Sequence, residues 1–70
     1  MNLNKLINMY TTLDRTTIKW LKVKHDIITY MLIKCNIKDE TYEQHRAIYN
    51  RCKKLLEDDE EIILNILKEE

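Results

Sequence analysis

The sequence predicts an all-α protein, a single domain over residues 1–70 in which two long helices pack as an antiparallel hairpin. The first supporting observation is the absence of both Gly and Pro, which removes the strongest helix breakers and the usual residues of tight β-turns. The second is that apolar residues make up 44% of the chain and charged residues 34%, a balance typical of amphipathic helices rather than of disorder. The third is an apolar repeat of helical period on both sides of a short segment near Ile37.

The first helix is predicted over residues 3–35. Most of its apolar positions from Leu3 to Cys35, including Ile18 and Leu21, hold one phase at about 100° per residue and fill about half of the helix circumference, whereas Val23, Tyr30 and Ile33 lie outside this arc. Threonines at positions 11, 12, 16 and 17 lower the helix propensity locally, because β-branched side chains lose rotamer freedom in a helix. We therefore expect one helix, or two nearly collinear ones, with a kink or a fresh start near Thr11.

The turn and the start of the second helix are predicted from local signals. Asn36 is the residue best suited to the left-handed conformation that ends a helix where no Gly is available, so we place a single turn within residues 36–40. Thr41 and Gln44 have the spacing of a capping box, with Asp39 as the competing cap, and a helix that occupies the rest of the chain begins here. So short a connection makes the two helices antiparallel neighbours, with facing residue numbers that sum to about 75.

The apolar face of each predicted helix is wider than the seam that a contact between two helices buries. A lone hairpin would leave five large side chains exposed, which are Trp20, Ile27, Met31, Leu56 and Leu67. Exposed apolar surface of this extent marks an association site, so we expect a homodimer that forms a four-helix bundle. The alternative is capture of a different protein through the same face. The predicted partner-binding residues are Trp20, Val23, Ile27, Tyr30 and Met31.

Catalytic and metal-binding chemistry is not expected. The sequence contains no Ser, no Gly-rich phosphate loop and no Cys–His pair in a recognisable context. We therefore predict that the protein is not an enzyme and has no catalytic residue and no cofactor. We also predict no metal site, since no zinc signature has the spacing of the four candidate ligands, His25, His45, Cys35 and Cys52.

Two acidic residues, Asp14 and Asp59, interrupt the apolar faces and lie at one level in the predicted hairpin. Paired carboxylates can share a proton or hold a divalent cation. The alternative, which we favour, is that both lie at the edge of the helix contact, bonded to Thr17, Arg15 or water. A third interpretation is that a dimer uses them to fix the register of its helices.

The net charge is zero, but the first half of the chain is basic and the second half is acidic. Residues 1–38 carry seven Lys/Arg and two Asp, whereas residues 39–70 carry five Lys/Arg and ten Asp/Glu. The predicted register also brings six basic side chains to one level, and such a band suits contact with phosphates. These candidate nucleic-acid-binding residues are Lys19, Lys22, Lys24, Arg51, Lys53 and Lys54. The alternative is that they are solvated side chains balanced by neighbouring glutamates.

The compartment and the function are inferred last. No apolar run approaches the ~20 residues of a membrane span, and no secretory signal precedes the two cysteines, so we expect a cytoplasmic protein without membrane contact. Residues with AT-rich codons far outnumber those with GC-rich codons, which fits equally well a gene of a low-GC bacterium, of its phages or plasmids, or of a large DNA virus. We expect a small phage- or plasmid-encoded regulator that binds and modulates another protein. The alternative is a nucleic-acid-binding accessory protein that uses the basic band.

Overall fold

The computed structural model describes residues 3–34 and 41–68, which form four helices. These are α1 (Leu3–Thr12), α2 (Ile18–Lys34), α3 (Tyr42–Asp58) and α4 (Glu60–Lys68). No strand occurs within these described residues, and the predicted all-α class is confirmed. The prediction of two long helices is corrected to four, because each of the two is divided. The predicted turn within residues 36–40 and the predicted helix end at Cys35 lie outside the described residues.

The first division separates α1 from α2 over residues 13–17. The Asp14 carboxylate accepts hydrogen bonds from the backbone N–H and the hydroxyl of Thr16, at 2.9 and 2.7 Å. The Thr17 hydroxyl then accepts the backbone N–H of Trp20 at 3.2 Å and caps α2. Such local side-chain bonds offer the backbone an alternative to the helix. The kink or fresh start expected near Thr11 is therefore a complete break that begins at residue 13.

The helix α3 begins as the sequence predicts. The Thr41 hydroxyl accepts the backbone N–H of Gln44 at 3.2 Å, and the Gln44 side chain accepts the backbone N–H of Thr41 at 3.0 Å. This confirms the capping box. At the other end, Asp59 leaves the helical conformation, with φ −124° and ψ 41°, although its N–H still bonds the Leu55 carbonyl at 2.9 Å. The second predicted helix is thus divided by this one residue.

The four helices enclose one apolar core. Each packs against two others, since α1 contacts α2 and α4, and α3 contacts α2 and α4. All four helices contribute buried side chains, which are Ile7, Tyr10, Trp20, Val23, Ile27, Ile28, Leu32, Cys52, Leu56, Leu64 and Leu67.

The expectation that a single chain leaves Trp20, Ile27, Leu56 and Leu67 exposed is wrong. Trp20 is only 7% exposed, and the side chains of Ile27 and Leu56 are fully buried. The two breaks allow α1 to pack on α2 and α4 to pack on α3, so the chain covers its own apolar faces. Met31 is half-buried and packs against the same core. One chain therefore covers most of its wide apolar faces by itself, and the width of these faces no longer argues for a dimer.

Candidate binding cleft

A cleft of about 350 Å³ lies between α2 and α3. Its lining residues are His25, Thr29, Leu32, Ile33, His45 and Tyr49. On α2, Thr29 follows His25 by four residues, and Leu32 and Ile33 follow Thr29 by three and four; the two residues from α3 are four apart, so each helix presents one side to the cleft. The volume is at the lower end of the ~300–1,000 Å³ that ligand sites occupy.

One wall of the cleft is polar and held in place by hydrogen bonds. The Nδ1 atom of His25 and the hydroxyl of Tyr49 lie 2.8 Å apart, and their ring centroids are 5.4 Å apart. The Thr29 hydroxyl donates to the His25 carbonyl at 2.9 Å. Burial raises the pKa of the Tyr49 hydroxyl above its ordinary 10.0, so this group keeps its proton at neutral pH. The wall therefore offers an imidazole and a phenol for hydrogen bonding.

The rim of the cleft is apolar and open to solvent. Ile33 lines the cleft and is 70% exposed. Tyr42 lies three residues before His45 on α3, on the same side of that helix, and it is 78% exposed. An apolar rim around a hydrogen-bonding wall suits a ligand that brings apolar side chains together with a polar group.

The five predicted partner-binding residues do not line this cleft. The side chains of Trp20, Val23 and Ile27 are buried in the core, and those of Tyr30 and Met31 are half-buried against it. Truncating Ile27 would therefore test core packing rather than binding, at a cost of ~2–5 kcal/mol of stability. Periodicity missed the cleft because it cannot separate a core side chain from an interface side chain. One usable signal was present, since the predicted register places His25 beside Tyr49.

The surroundings of Trp20 show how completely one chain encloses it. Its ring stacks on that of Tyr10, with the centroids 5.1 Å apart, and its Nε1–H donates to the Tyr10 carbonyl at 2.9 Å. The guanidinium of Arg15 lies 5.4 Å and the ammonium of Lys24 lies 5.2 Å from the Trp20 ring. Arg15 also forms a two-fold hydrogen-bonded ion pair with Glu60, at 3.0 Å to each carboxylate oxygen.

The six residues of the predicted basic band have different environments. Lys24 is buried, and its ammonium pairs with the Glu57 carboxylate at 2.6 Å; this contact lowers the pKa of Glu57. The others are exposed, and they are Lys19, Lys22, Arg51, Lys53 and Lys54. Arg51 and Lys53 are two positions apart on α3, so their side chains project roughly 160° from each other. Lys24 is thus engaged in an ion pair, and the three α3 residues do not all share one face, because Lys53 projects away from Arg51.

The Asp14 carboxylate is engaged in the hydrogen bonds that form the break between α1 and α2. Its hydrogen bonds from Thr16 lower its pKa below the ordinary 3.8, whereas sharing a proton with a second carboxyl would raise one of the two pKa values. Asp59 is exposed and ends α3. Within residues 3–34 and 41–68, no three His, Cys, Asp or Glu side chains are grouped as metal ligands.

No protein-family model, no curated protein and no solved structure matches this chain. In the part of the chain that the structure describes, no helix has both the length and the apolar character that crossing a membrane requires. Among the residues that the structure describes, the cleft between α2 and α3 is the feature that best suits a binding site.

Proposed function

We propose that this protein is a small interaction module that binds an apolar segment of another protein in the cleft between α2 and α3. The observation that carries the proposal is the combination, in one cleft, of an exposed apolar rim at Ile33 with the hydrogen-bonded pair of His25 and Tyr49. Aromatic residues are enriched where proteins bind each other, because they combine a large apolar area with a polar group. Tyr42 and Tyr49 supply both at this cleft.

The chemistry of the cleft defines the partner. Its volume accommodates one or two anchor side chains rather than a whole domain face, and the rest of the contact falls on the rim. A short segment that presents apolar anchors next to a free hydrogen-bonding group satisfies both the rim and the wall. Binding of such a segment would modulate the protein that carries it. In this proposal the protein is a regulator of phage or plasmid origin that acts in the cytoplasm, and the codon composition is compatible with that origin.

The test uses a displayed library of short random peptides, selected on the wild-type protein. We expect selection of peptides with apolar anchors, and we expect their affinity to fall at least ~10-fold in the Ile33→Glu variant, because a charge on the rim opposes an apolar anchor. Leu55→Glu is the matched control, since Leu55 is also exposed but does not line the cleft. In NMR titrations the peptides should shift the amide signals of Thr29 and His45. Selected peptides that bind Ile33→Glu as tightly as wild type would refute the proposal.

The alternative function, nucleic-acid binding, is tested in parallel with the peptide selection. Duplex DNA and single-stranded RNA of random sequence are titrated at several salt concentrations. Tight binding with a steep salt slope, flattened by Lys22→Glu and Lys53→Glu, would show phosphate contacts and would replace the protein-interaction proposal. The proposal expects at most weak nucleic-acid binding that these two substitutions leave nearly unchanged.

A further inference from the structure

Two pairs of large apolar side chains lie outside both the core and the cleft. Ile18 and Leu21 are three residues apart at the start of α2, and Ile62 and Ile66 are four residues apart on α4. Each spacing places the two members of a pair on one side of their helix. All four side chains are 53% to 83% exposed. Single exposed apolar residues are ordinary, but pairs on one helix side form patches that suit association.

The charges beside the two pairs are opposite. On α2, the exposed residues Lys19 and Lys22 accompany the first pair. Around the start of α4, three exposed acids accompany the second pair, which are Asp58, Asp59 and Glu61. One patch is therefore apolar with a basic flank, and the other is apolar with an acidic flank. The two patches are therefore complementary in charge, and both are present on the same chain.

An ion pair brings the two patches into one region of the molecule. Arg15 and Glu60 are joined by two hydrogen bonds of 3.0 Å. Arg15 lies three residues before Ile18, and Glu60 lies two residues before Ile62. The ion pair therefore places the two patches at the same end of the molecule, although α2 and α4 do not pack against each other.

We propose that the occupant of both patches is a second copy of this chain, in a two-fold symmetric dimer. In such a dimer each contact occurs twice, because residue i of one protomer meets residue j of its partner and the reverse. The α2 patch of each protomer packs on the α4 patch of the other, so that Lys22 faces Glu61 across both contacts. A chain of this size buries only ~60% of the surface that its unfolded form exposes, less than a larger domain does, and a partner copy adds apolar burial to that of the core. This inference does not depend on the proposed function of the cleft.

The test is a charge exchange followed by sedimentation velocity over a concentration series at low salt. Lys22→Glu and Glu61→Lys, each alone, should weaken the dimer at least ~10-fold, because each places like charges together twice in one dimer. The double variant Lys22→Glu/Glu61→Lys should recover most of the wild-type affinity. Ile66→Glu should abolish the dimer. Ile33→Glu, on the rim of the cleft, should leave it unchanged.

Circular dichroism of every variant confirms that it is folded, which is expected because all the substituted side chains are exposed. Three results would overturn the inference. One is a wild-type protein that stays monomeric at all concentrations. The second is a double variant no better than either single variant. The third is a dimer that tolerates Ile66→Glu, since the apolar pair on α4 would then lie outside the contact.

Discussion

Replacing Trp20 by Phe measures how strongly the indole joins α1 to α2. The Tyr10 carbonyl lies in the last turn of α1, where backbone carbonyls have no donor within the helix. The indole N–H of Trp20 supplies that donor at 2.9 Å in a buried position. A Phe ring still stacks on Tyr10, but it leaves the carbonyl without this donor, at ~1–3 kcal/mol. The smaller ring also leaves space in the core, at ~1 kcal/mol more.

The expected loss of about 2–4 kcal/mol is large for this chain, because domains are stabilised by only ~0.05–0.15 kcal/mol per residue. Urea unfolding should be followed by far-UV circular dichroism, since Trp20 is the sole tryptophan and its fluorescence is lost. Tyr42→Phe is the matched control, because this exposed aromatic loses only a hydroxyl and should change stability by less than ~0.5 kcal/mol. A Trp20→Phe variant as stable as that control would refute the linking role of the indole.

Three further predictions concern ionisation and capping. Burial raises the pKa of the Tyr10 hydroxyl above 10.0, and the hydrogen bond to a neighbouring glutamate and the charge of that glutamate raise it further. The tyrosine of the unfolded chain therefore ionises first, so the free energy of unfolding should fall as the pH rises above 10. Urea titrations of Tyr10→Phe should show a smaller fall. Hydrogen bonds from Thr16 lower the pKa of Asp14 below 3.8, so its contribution to stability is present above 3.8 and disappears as the pH falls through the lower native value. Asp14→Asn should weaken this acid dependence, and an unchanged profile would contradict it. Thr41→Ala removes the acceptor of the Gln44 N–H and should cost ~1 kcal/mol in urea unfolding, most of which Thr41→Ser should retain.

The features that the sequence predicted correctly depend on residues close together in the chain. The helical class follows from periodicity and from the lack of Gly and Pro. The capping box at Thr41 and Gln44 involves two residues three positions apart. The threonine-rich segment was recognised as a weak point, but the extent of the break was not. The break depends on Asp14 and Thr17, which bond the backbone beside them instead of continuing the helix.

The features that the sequence did not predict depend on which helices meet. The polar wall of the cleft joins His25 on α2 to Tyr49 on α3, and neither residue has a distinctive sequence context. The predicted register placed them near each other, but it did not show that space remains beside them. Similarly, nothing near Lys24 in the sequence indicates that its ammonium is buried against Glu57, because that contact requires the packing of α2 on α3.

The division into four helices determines which apolar residues remain available for binding. A helical wheel gives the width of an apolar face but not the part of it that another helix covers. Ile18 and Leu21 belong to the predicted apolar face and are exposed, whereas Val23 lies outside that face and is buried. The buried sector of α2 is therefore rotated away from the centre of the predicted face, because α2 packs against both α1 and α3. The edge of the predicted apolar face, which adjoins exposed lysines, therefore remains uncovered. Surfaces for association in such a chain should be sought at these charged edges rather than at the centre of the apolar face.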